Sequence, residues 1–440
     1  MIPHAFRVAS AAFMASALAI AAHPGSAQET IRPGAVSQAE EERSALQTRA
    51  DEVVGVINGD IPPEDVFSEA FLADVSPDRF RAISQQLTGQ FGAAIAVETL
   101  EPATGTRAAV VIRMERAIAR GTIAIDPATE NRVNELLLRE FTPVDDSLEK
   151  IRADLEALPG EVGVYFGPVE AGEPVLAMNE SQPFAIGSAF KLYVLAALDI
   201  EIAEGRLSWD DVVDLSVKSY PSGMLQDWPQ GAPLTLHTLA SLMMSISDNT
   251  ATDQLIELLG RDRIAEVMRE SGHSAPRLNT PFLTTRELFL LKGGDPARLA
   301  AYRAGGPEER RAILARLVGE EIGSEALASA FGGSPVALDV EWLASAEDLR
   351  SLFRYMFERA DPRGFETIAI NKGIPEAVAE KWARVGYKGG SEPGVLNLTW
   401  LLQDEAGEWH MLALSWNDLS APVEQNALTL IAQRILSLGR

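Results

Sequence analysis

The chain has 440 residues, 46% of them hydrophobic, with no cysteine and a formal charge of −25. That length provides for two or three domains with their own cores. The lack of cysteine excludes a disulfide framework, a thiol nucleophile, cysteine-ligated metal and a lipid anchor on cysteine, and the acidity disfavours nucleic acid and anionic lipid as partners.

Residues 1–27 read as a secretory signal. Arg7 supplies the positive start, Val8 to Ala22 is apolar and Ala-rich, and Gly25-Ser26-Ala27 offers small residues before a cut. The apolar run is too short for a membrane span, and no other segment qualifies. The mature chain is expected to start near Gln28, in the periplasm or outside the cell, without membrane insertion. Losing Arg7 takes the charge from −25 to −26.

Residues 28–44 are polar and read as a flexible leader. An amphipathic helix is expected over Ala45 to Asn58, with two more around "EDVFSEAFL" and "PDRFRAISQQL". Strand-like segments follow: "AAIAVETLEP", "TRAAVVIRMERAI", "RGTIAID" and "NRVNELLLREF". Helices first and strands second predict a small α+β domain over 45–142, with "TPVDD" as linker. Glu98, Glu101 and Asp126 within it read as solvated.

From 143 onward the pattern changes. A helix begins at Ser147, with Leu148, Ile151, Leu155 and Leu158 on one face. Strands "EVGVYFGPV" and "EPVLAMN" precede "PFAIGSAFKLYVLAAL", which opens a long apolar helix. Leu236, Leu239, Met243 and Ile246 mark the buried face of a later helix. "VLNLTWLLQ" and "EWHMLALSWND" read as strands, and Val423 to Leu438 as a closing helix. Strands from both ends of this region in one sheet, flanked by helices, are implied. Trp400, Trp409 and Trp416 belong to the core, whereas Trp228 lies in a loop before the Leu236 helix. No metal or cofactor is expected, since His4, His23, His237, His273 and His410 lack ligand spacing.

Three motifs carry chemistry. Ser188 and Lys191 stand three apart at the mouth of the apolar helix, so they share a face. Ser247-Asp248-Asn249 ends the Leu236 helix, 59 residues after Ser188. Lys388-Gly389-Gly390 precedes the strand "VLNLTWLLQ". S-x-x-K alone carries little weight, but S-x-x-K, S-D-N and K-x-G in that order resemble the class A β-lactamase and penicillin-recognising serine hydrolase superfamily.

The resemblance implies an antiparallel sheet flanked by helices, with a helical subdomain, over 143–440. It also implies an acyl-enzyme on Ser188. Lys191, desolvated and neutral, would take the serine proton, and Ser247 would relay it to the leaving group. Asn249 would orient Lys191 and the substrate amide, Asp248 would brace the turn, and Lys388 would hold a substrate carboxylate. The backbones of Ser188 and Ser391, beside Gly390, would form the oxyanion hole.

Two departures stand out. Gly389 replaces the hydroxyl residue usual in the third motif, with Ser391 as a possible substitute. Phe282 stands near the place of the glutamate that activates the deacylating water. The nearest carboxylates, Glu287 and Glu341, read as solvated surface. Residues 279–343 read as an inserted helical lobe. With "NTPFLTTRELF" and "VEWLASAEDL", this lobe and the extra first domain resemble the two-domain serine hydrolases related to the esterase-like protein of clavulanic-acid gene clusters. That implies a first domain like steroid isomerases and polyketide cyclases. Substrates in view are small molecules: β-lactams, esters or peptidoglycan-like peptides. Slow β-lactam hydrolysis, esterase activity and D,D-peptidase activity all remain open, as does a non-catalytic binding module.

Overall fold

The structure, a computed structural model, describes residues 33–144 and 146–438; the expected signal, residues 1–27, lies outside them. Helix α1 covers Pro33–Asn58. Residues 33–44 are therefore helical, where the sequence reading expects a flexible leader. The run from Gln38 to Arg43 is made of good helix formers behind a proline at the first helical position.

Two short helices, α2 (Pro63–Val66) and α3 (Glu69–Asp74), precede α4 (Pro77–Phe91), which the Ser76 hydroxyl caps by accepting from the Arg79 N–H. Strands β1 (Ala94–Pro102), β2 (Arg107–Met114), β3 (Ala117–Asp126) and β4 (Arg132–Pro143) form one antiparallel sheet in sequential order. Period-two alternation buries Ala108, Val110, Ile112 and Met114 of β2 against Leu46, Ala50, Val53 and Ile57 of α1. Glu98 and Glu101 lie on the exposed side, as expected, whereas half-buried Asp126 caps a turn through the Ala128 N–H.

Beyond residue 146, α5 (Leu148–Glu156) starts on a Ser147 cap, and β5 (Glu161–Pro168), β6 (Leu176–Met178) and β7 (Phe184–Ala185) follow. A 3-10 turn over Gly187–Phe190 feeds α6 (Lys191–Ala203). The short strands β8 (Val212–Asp214) and β9 (Pro233–Thr235) pair before α7 (Leu236–Ser245), α8 (Asn249–Leu259) and α9 (Arg261–Glu270). Helix α7 stops one residue short of Ile246, which is 44% exposed rather than part of the buried face.

The segment read as an inserted lobe is helical: α10 (Thr285–Lys292), α11 (Pro296–Ala304), α12 (Pro307–Ala315) and α13 (Ser324–Phe331). After it come β10 (Leu343–Ala344), α14 (Ala346–Arg359), α15 (Arg363–Ile368) and α16 (Glu376–Ala379). Strands β11 (Arg384–Glu392), β12 (Val395–Gln403) and β13 (Trp409–Asn417) lead to α17 (Gln425–Leu438). No helix among the described residues is long and apolar enough to cross a membrane.

The main sheet is antiparallel, in the order β11-β12-β13-β5-β6, so strands from both ends of the region meet where β5 pairs with β13. Its two faces are packed separately. On one, α5 and α17 cover Trp400, Leu412 and Leu414. On the other, α6 is enclosed all round, with every residue from Leu192 to Leu198 buried. A helix apolar on all sides belongs inside a core. Helix α17 also reaches the first region. Its Leu430 packs on the N-terminal core, and Arg434 bonds Asp146 at 2.7 Å and Asp154 at 2.6 Å.

Candidate active site

The helical side of the sheet meets the edge strand β11 at the 3-10 turn that carries Ser188. β7 pairs with β10, and the Ile186 N–H donates to the Trp342 carbonyl at 3.0 Å, which fixes the turn's approach. Gly187 has φ +48°, a left-handed conformation that favours glycine. A Cβ added there would lie 2.9 Å from Ser391 N, and one added to Gly390 would lie 2.2 Å from Ser188 N. The two backbones expected to supply oxyanion donors therefore approach as closely as glycine permits.

Lys191 is the first residue of α6 and is fully buried. Its Nζ lies 2.7 Å from the Ser247 carbonyl, 2.7 Å from Asn249 Oδ1 and 3.0 Å from Ser247 Oγ. None of these bonds goes to Ser188, although helical spacing puts both residues on one face. Burial, and next the charge of Lys388, hold the amine well below its ordinary value. A neutral amine has two donors and one lone pair. The two donors suit the carbonyl and amide oxygens, which can only accept. The lone pair suits the Ser247 hydroxyl, the one partner able to donate.

The S-D-N turn is held from several sides. Ser247 has φ +58°, a strained conformation for a residue with a side chain, costing about 1–3 kcal/mol. Asp248 holds it in place. Oδ1 caps α8 through the Ala251 N–H at 2.8 Å, and Oδ2 accepts from Met224 N at 2.6 Å and Leu225 N at 2.9 Å. Asn249 Nδ2 donates to the Tyr220 carbonyl at 3.1 Å, leaving Oδ1 for Lys191. Asp248 is thus a brace, as the sequence reading has it.

Lys388 reaches the same serine from β11. Its Nζ is 3.1 Å from Ser247 Oγ and 2.5 Å from the Gly389 carbonyl. Burial brings this amine down to about 7. Ser247 Oγ therefore stands between two lysine nitrogens, accepting from one and able to donate to the other. Ser391 is exposed and adjoins this edge.

Three readings need correction or refinement at the deacylation side. Phe282 is 1% exposed and edge-on to Phe190 at 5.7 Å, so a ring fills the space beneath the nucleophile's turn. Glu287 is not solvated surface. It closes a capping box on Thr284 and pairs with Arg261 at 2.8 Å. Glu341 is not solvated either. It is 4% exposed, 3.6 Å from Lys292, which also pairs with Glu392. Packing of the lobe against β11 encloses all three, a contact between segments 100 residues apart that no local pattern reveals.

Other residues were not singled out from sequence. Asp253, fully enclosed in α8, accepts from Thr285 N at 2.7 Å and Arg286 N at 2.9 Å and so caps α10. Burial raises it to about 6. Its place four residues after Asn249, on the same helical face, is the only signal that could have found it. Ser222 Oγ donates to the Ser247 carbonyl at 2.7 Å. Asp404, Glu408 and His410 bring metal-capable atoms within 4.8 Å of one another, but at the β12–β13 turn, away from the lysines.

Comparison with known proteins adds the following. Residues 147–330 match a family model described as the beta-lactamase enzyme family, a range that includes Ser188, Lys191, Ser247 and Asn249 but not Lys388. A beta-lactamase from Sphaerobacter thermophilus is 20% identical, with a TM-score of 0.45 over 67% of this chain and 100% of that one. A beta-lactamase from Chitinophaga pinensis is 15% identical, with a TM-score of 0.45 over 66% and 96%. The protein PBP-A is 17% identical, with a TM-score of 0.45 over 66% and 94%. No curated protein matches the chain.

Proposed function

We propose that this chain is an exported serine acyl hydrolase that forms an acyl-enzyme on Ser188 with β-lactams or esters and releases the β-lactam product slowly. One observation carries the reading. Lys191, Ser247 and Lys388 form a continuous bonded path in which the buried lysine has a free lone pair. A binding pocket has no need of a desolvated neutral lysine; a proton acceptor does.

The steps balance as follows. Ser188 Oγ forms a bond to the substrate carbonyl carbon as its proton passes to Lys191 Nζ. The oxyanion is held by the Ser188 and Ser391 N–H groups. The carbon–nitrogen or carbon–oxygen bond then breaks. The proton travels from Lys191 through Ser247 to the departing nitrogen or oxygen. Catalytic bonds are often loose before substrate arrives, which accommodates the present bonding of Lys191 to Ser247 rather than Ser188.

Release needs a base for water, and the carboxylates around the site are engaged. Asp248 and Asp253 accept from backbone N–H groups, Glu287 pairs with Arg261, and Glu341 lies beside Lys292. Loss of a general base slows a step about 10²- to 10⁴-fold. A penicillin is therefore expected to give a burst of one equivalent followed by slow release, with activated esters turning over faster. Intact-protein mass spectrometry over time, with peptide mapping, checks this. Label on any serine other than Ser188, or fast burst-free turnover, contradicts it.

Lys388 gives a pH test. With its amine brought down to about 7, it loses its proton in the free protein as pH rises through that value. A bound carboxylate restores the proton. The half-saturating concentration of benzylpenicillin should thus climb toward about tenfold per pH unit above 7. That of a neutral ester should stay level. Parallel profiles for the two substrates would remove Lys388 from carboxylate binding.

A further inference from the structure

Glycine follows Lys388 where a side chain would face the cleft edge, and the packing shows why. A Cβ built on Gly389 would lie 2.1 Å from Tyr387 Oη and 2.9 Å from its Cζ. Residues two apart on a strand share a face, so Tyr387 lies along β11 with its hydroxyl above Gly389. The ring is fixed on both sides. Its centroid is 4.8 Å from that of Trp400, and a Cβ on Gly373 would fall 2.4 Å from its Cγ.

This hydroxyl differs from other tyrosine oxygens of the fold. Tyr165 donates to the Pro168 carbonyl at 2.7 Å, and Tyr220 accepts from Ile322 N at 2.9 Å. Tyr387 Oη has no protein partner among the described residues. Nor is it one of the enclosed side-chain atoms that lack a partner, so solvent reaches it. Burial pushes the phenol well above its ordinary value, which keeps it a neutral donor at working pH.

Lys388 approaches Gly389 too, with Nζ 2.5 Å from the glycine carbonyl. This buried lysine has no carboxylate in ion-pair range among the described residues. An ammonium and a phenol from adjacent residues therefore meet around one glycine, and neither has an anion. A carboxylate, with two oxygens that can only accept, suits that pair.

We propose that Tyr387 is a substrate-binding residue whose hydroxyl, together with the Lys388 ammonium, holds the carboxylate of an anionic acyl substrate. The proposal rests on the acyl-hydrolase reading for its substrate class. It explains the glycine of the third motif without Ser391, because the hydroxyl is delivered from two residues upstream.

Tyr387→Phe removes the hydroxyl and keeps the ring packing. In Ser188→Ala protein, which cannot be acylated, calorimetric titration with benzylpenicillin should show binding weakened about ten- to a hundredfold by Tyr387→Phe, the range for a hydrogen bond to a charged group. With Ser188 present, the half-saturating benzylpenicillin concentration should rise similarly at a nearly unchanged limiting acylation rate. Acylation by p-nitrophenyl acetate, which has no carboxylate, should not change. Equal binding by the Tyr387 and Phe forms, no binding by either, or the same loss with the neutral ester overturns the assignment. Should no substrate acylate Ser188 while the calorimetric difference persists, the hydrolase reading falls and the carboxylate site stands.

Discussion

Substituting methionine for Lys191 is expected to slow acylation of Ser188 by at least about 10²- to 10⁴-fold while the protein stays folded. The expectation comes from what the lysine touches. Its amine bonds the Ser247 carbonyl, Ser247 Oγ and Asn249 Oδ1, and is the only group described here with a free lone pair beside the nucleophile's helix. Removing it leaves Ser188 with no acceptor, and Ser247 with no source for the proton it relays. The fold should tolerate the change, because a neutral, buried amine is replaced by an apolar chain of similar reach. The unpaired Asn249 and Ser247 oxygens cost about 1–3 kcal/mol each. Adduct formation with benzylpenicillin, followed by mass, gives the rate, and the thermal transition reports folding. A folded variant acylated at nearly the normal rate would show that another group takes the proton.

Lys292→Met should be the most destabilising single change away from the nucleophile. Lys292 ends α10 and is enclosed with Glu341 and Glu392. Without it, two carboxyls are buried together with no cation, a situation that typically costs about 3–5 kcal/mol. The sign with pH follows from the carboxyls. Burial, and next the neighbouring Glu392, raise Glu341 from 4.5 to about 8, and burial raises Glu392 as well. The folded state therefore holds protons that the unfolded chain gives up. Their stabilisation is complete below about 4.5 and is lost as pH rises through about 8. The lysine partly offsets that loss, so the variant's deficit should be small near pH 5 and largest near pH 8. Urea unfolding at both values measures it, and equal midpoint shifts at the two would contradict the assignment.

What could be read from sequence divides by range. The three motifs were legible because each is local: a helical spacing of three, a helix end, a strand start. The sheet was legible too, since Trp400, Leu412 and Phe166 sit in strong apolar runs. Glu341 was misread because its burial depends on Lys292 and Glu392, and no window contains all three. Gly389 looked like a lost hydroxyl, and only the ring of Tyr387 laid along the strand shows what fills the space. Ile246 was assigned to a helix face because its spacing fits, yet α7 ends at Ser245 before the strained Ser247. The early start of α1 was overlooked because charged, polar residues suggest solvent rather than a helix.

The pairing of β5 with β13 has a consequence for the order of events during synthesis. His410 and Pro168 are partners across 242 intervening positions, and Asn417 meets Glu161 across 256. Contacts of such separation are entropically late and make assembly slow. Ser188 and Lys191 leave the ribosome with more than half the chain still to come, while Lys388 arrives in its last eighth. The reactive path can therefore close only after translation is nearly complete. Chains interrupted before β11 hold the nucleophile without the strand that opposes it. A probe reacting with Ser188 accordingly reports finished molecules and passes over nascent ones.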